Sequence, residues 1–596
     1  MSYLDKLRKT TSIYDFAQLL NFKPSALSYL LYKLPNENKY TEFKIPKKSG
    51  GDRLIKAPDR RLKLVQRKLA YILNSCVQEI EKIAPRKHPL SHGFKEKINF
   101  GTKKKPDYLA LGIHTNAKCH RNRRYVLNLD LADFFPSFNF GRVRGFFIKN
   151  NHFMLPPNIA TFIAQIACHN NELPQGSPCS PVITNLITHI LDVSLTQLAK
   201  KFQCSYSRYV DDITLSTNQK VFPEMLAHKS SKFNAWEVGS EIEKIITRSG
   251  FKVNPQKTRL QFRTSRQVVT GLVVNKKVNV KNEYYRNARS MCNTLFNKGE
   301  FFLPQDKNNL AKINQLEGIL THIYFIKEFI KTEKEGSLGR KILLKNAEKK
   351  KKQKNTKETE KSDPLKGISK LYSKFLYFRY FVALEKPLIL CEGKTDIIYL
   401  KVAIKQLAKK NIYKFPHDID FFSHTDRTDK VMRIGGGASV LKNFIEFYET
   451  NTRFKFQDRR HPVVVILDND KEAQGVVNSI NGTKKHKKEN VVYDRNLNFS
   501  YHATSNLHVV LLPIEPNKDK KIEDLFDSLV TDTVLDGKTF SAENGNNFDS
   551  NIHYSKTVFA YKVVRPQQEN IDFTKFQEVL ELIAKVIENY KPYSAH

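Results

Sequence analysis

The chain has 596 residues, too many for one hydrophobic core, so two to four domains are expected. A formal net charge of +40, with Lys and Arg spread throughout, suits a protein that holds long stretches of phosphate backbone. Seven scattered cysteines (Cys76, Cys119, Cys168, Cys179, Cys204, Cys292, Cys391) form no CxxC pair. That argues against zinc and against a disulfide framework, and a reducing, cytoplasmic setting is expected. The opening stretch MSYLDKLRKTTSIYDF lacks an apolar core, and no run is expected to reach a membrane span, so no membrane partner is expected.

Residues 1–40 read as short amphipathic helices with Leu4, Leu7, Leu19, Leu20 and Leu27 as core candidates. Further on, YVLNLDLADFF places Asp130 inside an apolar strand-like run, where a carboxylate is costly unless exposed or ligating a metal. CSYSRYVDDITLS then sets Asp211 and Asp212 where two β-branched, aromatic-rich runs meet, which predicts the turn of a β-hairpin. Taken alone, that pair also reads as an Asp-rich turn. With Asp130 on a neighbouring strand, three carboxylates can hold two Mg²⁺ ions, one activating a primer hydroxyl and one clamping a triphosphate. That is nucleotide-polymerase chemistry.

These residues resemble a reverse transcriptase: Asp130 matches the first catalytic aspartate and Tyr209-Val210-Asp211-Asp212 the YxDD box. Other signals fall in the family's order. IPKKSGGDRLIKAP (Ile45 to Pro58) resembles the fingers hairpin, which implies that Arg53 meets the triphosphate. LPQGSPCSPVITNLI (Leu173 to Ile187) resembles the QGxxxSP motif, which implies that Gln175 and Gly176 let backbone approach template-primer and nucleotide, and that Ser180-Pro181 opens a helix. GFKVNPQKTRL (Gly250 to Leu260) resembles the next palm motif, with Lys257 near the leaving pyrophosphate. Phe135 corresponds to the gate against a ribose 2′-OH, so deoxynucleotides (dNTPs) are the expected substrates.

Two smaller elements resemble retron reverse transcriptases: NAKCH, with Asn116, Ala117 and His120, fits NAxxH, and Val269-Thr270-Gly271 fits VTG. The resemblance implies that these six residues recognise RNA. It further implies priming from the 2′-OH of an internal guanosine in a structured noncoding RNA, a branched RNA–DNA product, and single-stranded DNA that stays bound. Val210 is a mild departure, since Ala is frequent there in retron enzymes. A homo-oligomer with bound RNA–DNA is left open.

Residues 1–235 are read as N-terminal helices, fingers and palm, and 236–330 as the end of the palm and a helical thumb. Residues 331–366 are dense in Lys and Glu and poor in apolar residues, which predicts a linker. The basic run Lys349 to Lys354 within it would also suit RNA backbone. Apolar periodicity resumes in ISKLYSKFLYFRYFVAL, and 367–596 is read as a second domain.

In that domain EKPLILCEGKTDIIYLKVAIKQL predicts a strand, a tight turn at Gly393 and a helix, with Glu392 at the strand's carboxyl end. HPVVVILDNDKEA predicts a second buried strand ending in Asp468 and Asp470, whose spacing of two places both carboxylates on one face. RIGGGASVLKNF adds a Gly-rich turn, weak evidence of phosphate binding by itself. Together these resemble a Toprim domain, closest in wording to the overcoming-lysogenization-defect (OLD) nucleases. The resemblance implies a mostly parallel α/β sheet, one or two Mg²⁺ held by Glu392, Asp468, Asp470 and Glu523, and a catalytic Lys556. The fold class expected is therefore multidomain, a right-hand α+β polymerase followed by an α/β Toprim domain, and by family analogy an antiphage retron with a nuclease effector. The competing readings are a group II intron-type maturase, a Toprim module that binds without cutting, and an RNA-binding scaffold whose acids are structural.

Overall fold

The computed structural model describes every residue except 1, 48–49, 84–88, 96–97, 100–107, 232–234, 330–364, 366, 436, 483–491, 498, 516–517, 544–547 and 593–596. The expected linker, 331–366, lies outside the described residues apart from Leu365, and Lys349 to Lys354 fall with it. The chain divides into two compact units. One spans Met1–Lys281 with Phe329; the other is built on Asn282–Glu328 and the described residues after 364.

The N-terminal unit begins with helices Tyr3–Lys9, Ile13–Leu19 and Pro24–Ser28. Ser2 and Ser12 cap the first two by accepting from the backbone N–H groups of Asp5 and Asp15. Leu4, Leu7, Leu20 and Leu27 are buried as their spacing predicted, and Leu19 packs on the same core from its edge. Strands β1 (Tyr40–Pro46) and β2 (Asp52–Pro58) form an antiparallel hairpin. A five-stranded antiparallel sheet follows: β3 (Tyr125–Ala132), β4 (Ser205–Tyr209), β5 (Asp212–Thr217), β6 (Lys252–Val253) and β7 (Arg259–Phe262). β3 is central, pairing with β5 on one side and with β6 and then β7 on the other, while β4 pairs with β5. β8 (Val268–Val269) and β9 (Leu272–Val273) make a short hairpin closed by Thr270 and Gly271, both at positive φ as a two-residue turn demands.

Helix Ser180–Lys201 packs beside β4 and buries Val182, Ile183, Ile187, Leu191, Leu195 and Leu198 in this unit's core. By length and composition it could cross a membrane, contrary to the expectation that no run is long enough. Its apolar residues are accounted for by that core, more than half of the stretch being buried.

In the C-terminal unit the two central strands of the sheet, LILC and VVVIL, read as continuous apolar runs, as strands covered on both faces must. The order is β11, β10, β12, β14, β13, with β10 (Leu388–Cys391), β11 (Asp420–Phe421), β12 (Val463–Leu467), β13 (Ser500–Thr504) and β14 (Leu507–Leu511). β11, β10, β12 and β14 run parallel, and β13 is an antiparallel edge strand. All of β10 and β12 is buried.

The boundary between the units falls at Lys281/Asn282 and not near 366, so the stretch expected as a thumb is split. Aromatic packing explains this. Phe296 of helix Asn282–Lys298 packs at a tilt against Phe378 and Phe454, with ring centroids 5.4 and 4.9 Å apart, and Tyr324 likewise against Tyr372 at 5.5 Å. These contacts tie the thumb-like helices to helix Ile368–Phe381.

Candidate functional site

The register of the first sheet assembles three carboxylates. Asp130 on β3 stands directly opposite Asp212 at the start of β5, and Tyr209 at the end of β4 faces Asp212 from the other side. Asp211 sits in the connecting turn, where its carbonyl accepts from the Leu131 N–H at 3.1 Å. Such a tight turn requires Val210 at φ +61°, a conformation that costs a β-branched residue about 1–3 kcal/mol and persists only under external restraint.

Burial lifts Asp211 above the usual carboxylate range, and the charge of Asp130 adds to it. Burial, then Asp211 and Asp130, push Asp212 up to about 6. Two carboxyls raised by burial and by the acids beside them mark a site awaiting positive charge. Lys257 supplies some: its ammonium donates to both Asp130 oxygens at 3.0 Å. The short helical turn Pro255–Lys257 is fixed to β3 by the Asn254 N–H, which donates to the Asp130 carbonyl at 2.8 Å. Lys257 thus touches the Asp130 carboxylate itself, a contact that its expected place beside pyrophosphate did not foretell. The positive charge of Arg53, exposed on β2, also counters Asp211.

Gln175 and Gly176 serve the chain's own backbone. The Lys56 N–H donates to the Gln175 carbonyl at 2.8 Å, and Gly176 (φ +127°) passes so near β2 that a side-chain carbon would lie 2.5 Å from the Lys56 oxygen. The QG pair therefore docks the hairpin that carries Arg53 onto the loop that leads into helix Ser180–Lys201. Phe135 is half-buried beside this cluster in sequence, packed edge-on to Phe134 at 5.5 Å and near Phe94 at 6.4 Å.

The two small elements meet in space although about 150 residues separate them. Thr270 donates to the Ile113 carbonyl at 3.1 Å, at the start of helix Ile113–Lys118. Asn116 and Ala117 lie on that helix and His120 just after it. Asn116, Ala117, His120 and Val269 are each 0% exposed. Buried in this way, these four side chains bear on RNA recognition only through the residues that they position. His120 bridges the hairpin, with Nε2 2.7 Å from Ser207 Oγ on β4 and Nδ1 2.7 Å from Ser216 Oγ on β5. Ser207 donates to Asn116 Oδ1 at 2.6 Å, so it accepts from Nε2–H, and Ser216 donates to Nδ1. Burial holds the ring neutral, down at about 3. Of the six residues only Thr270 and Gly271 reach the surface.

The C-terminal unit gathers a second acidic cluster. Parallel pairing of Cys391 with Ile466 puts Glu392 and Asp468 at adjoining carboxyl ends of β10 and β12. Burial pushes Asp468 up to about 8, helped by the charges of Asp396, Glu392 and Glu523 and opposed by Lys556. The Ile522 N–H donates to its Oδ1 at 2.9 Å. Glu523 is buried and raised by that burial, and its Oε2 accepts from Lys556 Nζ at 3.0 Å. Its Oε1 is buried with no hydrogen-bond partner among the described residues. Gly437, at φ +95° in the Gly-rich turn, comes within 3.8 Å of Glu392 Oε1 when given a side-chain carbon.

Two corrections concern this cluster. β12 ends at Leu467, so the period of two does not carry to Asp470. Asp470 instead caps helix Lys471–Asn481, accepting from the N–H groups of Glu472 and Ala473 at 2.9 and 3.2 Å. The missed member is Asp396, which closes the turn by accepting from Gly393 N–H at 2.7 Å and heads the charges acting on Asp468. Its signal was present: EGKTD places an acid one helical turn beyond Glu392.

Both donor sets are hard oxygen ligands of the kind divalent cations take. Among the described residues no three acidic, histidine or cysteine side chains are gathered tightly enough to hold an ion as they stand. In the first cluster Lys257 takes both Asp130 oxygens, but its side chain is 54% exposed and free to swing away. In the second, the unpartnered Glu523 oxygen and the raised Asp468 mark carboxylates short of positive charge. Both sets fit a divalent cation in charge and donor type.

Residues 45–282 match the family model described as reverse transcriptase (RNA-dependent DNA polymerase), and this stretch is a reverse transcriptase domain. Among curated proteins, the chain is similar to the retron Mx65 reverse transcriptase of Myxococcus xanthus, 31% identical over 46% of this chain and 61% of that one. It is also similar to the retron Mx162 reverse transcriptase of the same organism (30%, covering 45% and 54%) and the retron Ec86 reverse transcriptase of Escherichia coli (28%, covering 48% and 78%). The chain thus spans little more than half the length of the first two relatives. A solved telomerase of Candida tropicalis aligns at 14% identity over 44% of this chain and 61% of that one, with a TM-score of 0.26, too low to define a shared fold.

Proposed function

We propose that the chain is a retron reverse transcriptase that copies a structured noncoding RNA into branched, multicopy single-stranded DNA. The pairing of Asp130 with Asp212 across adjacent strands, with Asp211 in the turn between, carries this reading. These three residues would hold Mg²⁺, which when bound activates the primer hydroxyl and neutralises the triphosphate. Arg53 offers positive charge to the triphosphate from the fingers hairpin. Phe135 walls the sugar so that a 2′-OH collides with its ring. Lys257 leaves Asp130 as the nucleotide enters and meets the pyrophosphate. The dense positive charge holds the RNA and the bound DNA through phosphate contacts.

For the C-terminal unit we propose a Toprim-like, Mg²⁺-dependent nuclease that acts as the effector of an antiphage system in the cytoplasm. Its parallel sheet with Glu392 and Asp468 at adjoining strand ends supports this, together with Asp396, Glu523 and Lys556 around them. Lys556 would counter charge that develops on a cleaved phosphodiester. Primer extension by the purified chain tests the first reading: DNA synthesis on an RNA template with native protein, and none with Asp211→Asn and Asp212→Asn combined. Synthesis by that double variant overturns it. Labelled RNA and DNA incubated with Mg²⁺ or Mn²⁺ test the second, and cleavage of neither reduces the unit to a binding module.

A further inference from the structure

Arg208 lies immediately before the Tyr209–Asp212 box, and its side chain is entirely buried. A guanidinium in a core is costly unless its N–H groups are answered. Asp192, on helix Ser180–Lys201, answers most of them: Nε donates to Oδ1 at 2.7 Å and Nη2 to Oδ2 at 2.8 Å, a bidentate pair. Tyr206 donates to the same carboxylate at 2.7 Å, which fixes its orientation. Nη2 also reaches Asn185 Oδ1 at 3.3 Å. Nη1 does something different. It donates at 2.8 Å to the carbonyl of Val210, the residue held at φ +61°.

The other side of Val210 is closed by Gly93. A side-chain carbon at residue 93 would lie 2.7 Å from Val210 Cγ2 and 2.9 Å from its nitrogen. Asn185 ties the two sides together, donating to the Gly93 carbonyl at 2.9 Å while its Oδ1 accepts from Arg208. Val210 is therefore gripped from both sides in a conformation that β-branched residues avoid. Asp211 and Asp212 follow it directly, so any relaxation of this turn moves both carboxylates.

We propose that Arg208, oriented by Asp192, is a positioning residue that holds Val210 in the left-handed conformation and thereby aims Asp211 and Asp212. The proposal rests on the polymerase reading above and deepens it. A plain core ion pair would have no reason to end on the carbonyl of the one strained residue in the box. Lysine at 208 keeps the charge, but its single ammonium cannot span both Asp192 and the Val210 carbonyl. Glycine at 210 adopts the left-handed conformation without penalty and makes the clamp dispensable.

The experiment compares native protein, Arg208→Lys, Val210→Gly and the double variant in primer extension. Amide hydrogen exchange of the 205–217 segment is followed in parallel. Arg208→Lys should lower kcat about tenfold or more, with KM for the dNTP little changed, because misplaced carboxylates affect the chemical step. Its 205–217 amides should exchange faster. In the double variant kcat should return to within about threefold of Val210→Gly alone, and exchange should slow again. The proposal is overturned if Arg208→Lys extends primers as well as native protein, or if glycine at 210 rescues nothing. It also fails if neither Arg208→Lys nor the double variant folds, since Arg208 is then a core residue only. If native protein extends no primer, the polymerase reading fails, and the exchange data alone judge the clamp.

Discussion

His120→Ala tests whether the NAxxH element is a brace inside the sheet or a reader of RNA. Truncation removes two buried hydrogen bonds and leaves the Ser216 hydroxyl unpaired between β3 and its neighbours, while Ser207 keeps only Asn116. One buried orphan costs about 1–3 kcal/mol, and the vacated imidazole volume adds a cavity, so a loss of about 3–5 kcal/mol is expected. That is a large share of the stability of an ordinary domain, about 5–15 kcal/mol. The single tryptophan, Trp236, lies in the N-terminal unit against Phe262, with ring centroids 6.0 Å apart, so its emission during urea unfolding reports that unit alone.

A pH series adds an independent check on the same residue. His120 is held down at about 3 when folded, whereas an unfolded imidazole titrates near 6.5. Below pH 6.5 the unfolded state binds a proton that the native state refuses, so stability is complete above that pH and falls as pH drops. The slope from this one group is about 1.4 kcal/mol per pH unit until the folded value is reached. His92, lowered to about 4 by burial, adds its own slope in both proteins. The variant should therefore show a shallower acid loss than native protein by about 1.4 kcal/mol per unit between pH 6 and 4. A destabilisation under about 1 kcal/mol at pH 7.5, or an unchanged acid slope, would refute the brace.

Asp212→Asn alone should cut primer extension at least about a hundredfold while RNA affinity stays within a few-fold, because phosphate contacts come from many basic side chains; filter binding and extension on one preparation separate the two. Phe135→Ala should raise ribonucleotide over deoxynucleotide incorporation, and an unchanged ratio removes Phe135 as the gate. Gly176→Ala should destabilise the N-terminal unit by about 1–3 kcal/mol in the Trp236 assay, since the new carbon meets the Lys56 carbonyl at a strained φ. Glu392→Gln should abolish Mg²⁺-dependent cleavage, and phage protection with it, while product DNA stays at native levels; loss of both together would show that the two sites are not independent.

The periodicity and motif spacing of this chain were enough to place Asp130 within a strand, Asp211 and Asp212 at a hairpin turn, and Glu392 and Asp468 at strand ends. Strands buried on one or both faces must show alternating or continuous apolar runs, and an acid that interrupts such a run is visible in one dimension. Four of the five N-terminal leucines were legible as core from the spacing of an amphipathic helix. Partners distant in the chain were not legible. Arg208 needs Asp192 and the Val210 carbonyl, His120 needs Ser207 and Ser216, and Gly176 needs Lys56, contacts that exist only once β-sheet register and helix packing are set. Asp470 shows the converse error: a spacing rule valid along a strand fails beyond its end at Leu467, where a helix N-terminus has the stronger need for a carboxylate. The boundary at Lys281 likewise followed from where Phe296 and Tyr324 found aromatic partners, since composition marks a polar stretch but does not say which core claims the helices before it. Local pattern determines which residues form an element and which face is apolar; only the folded chain decides which groups across that face meet.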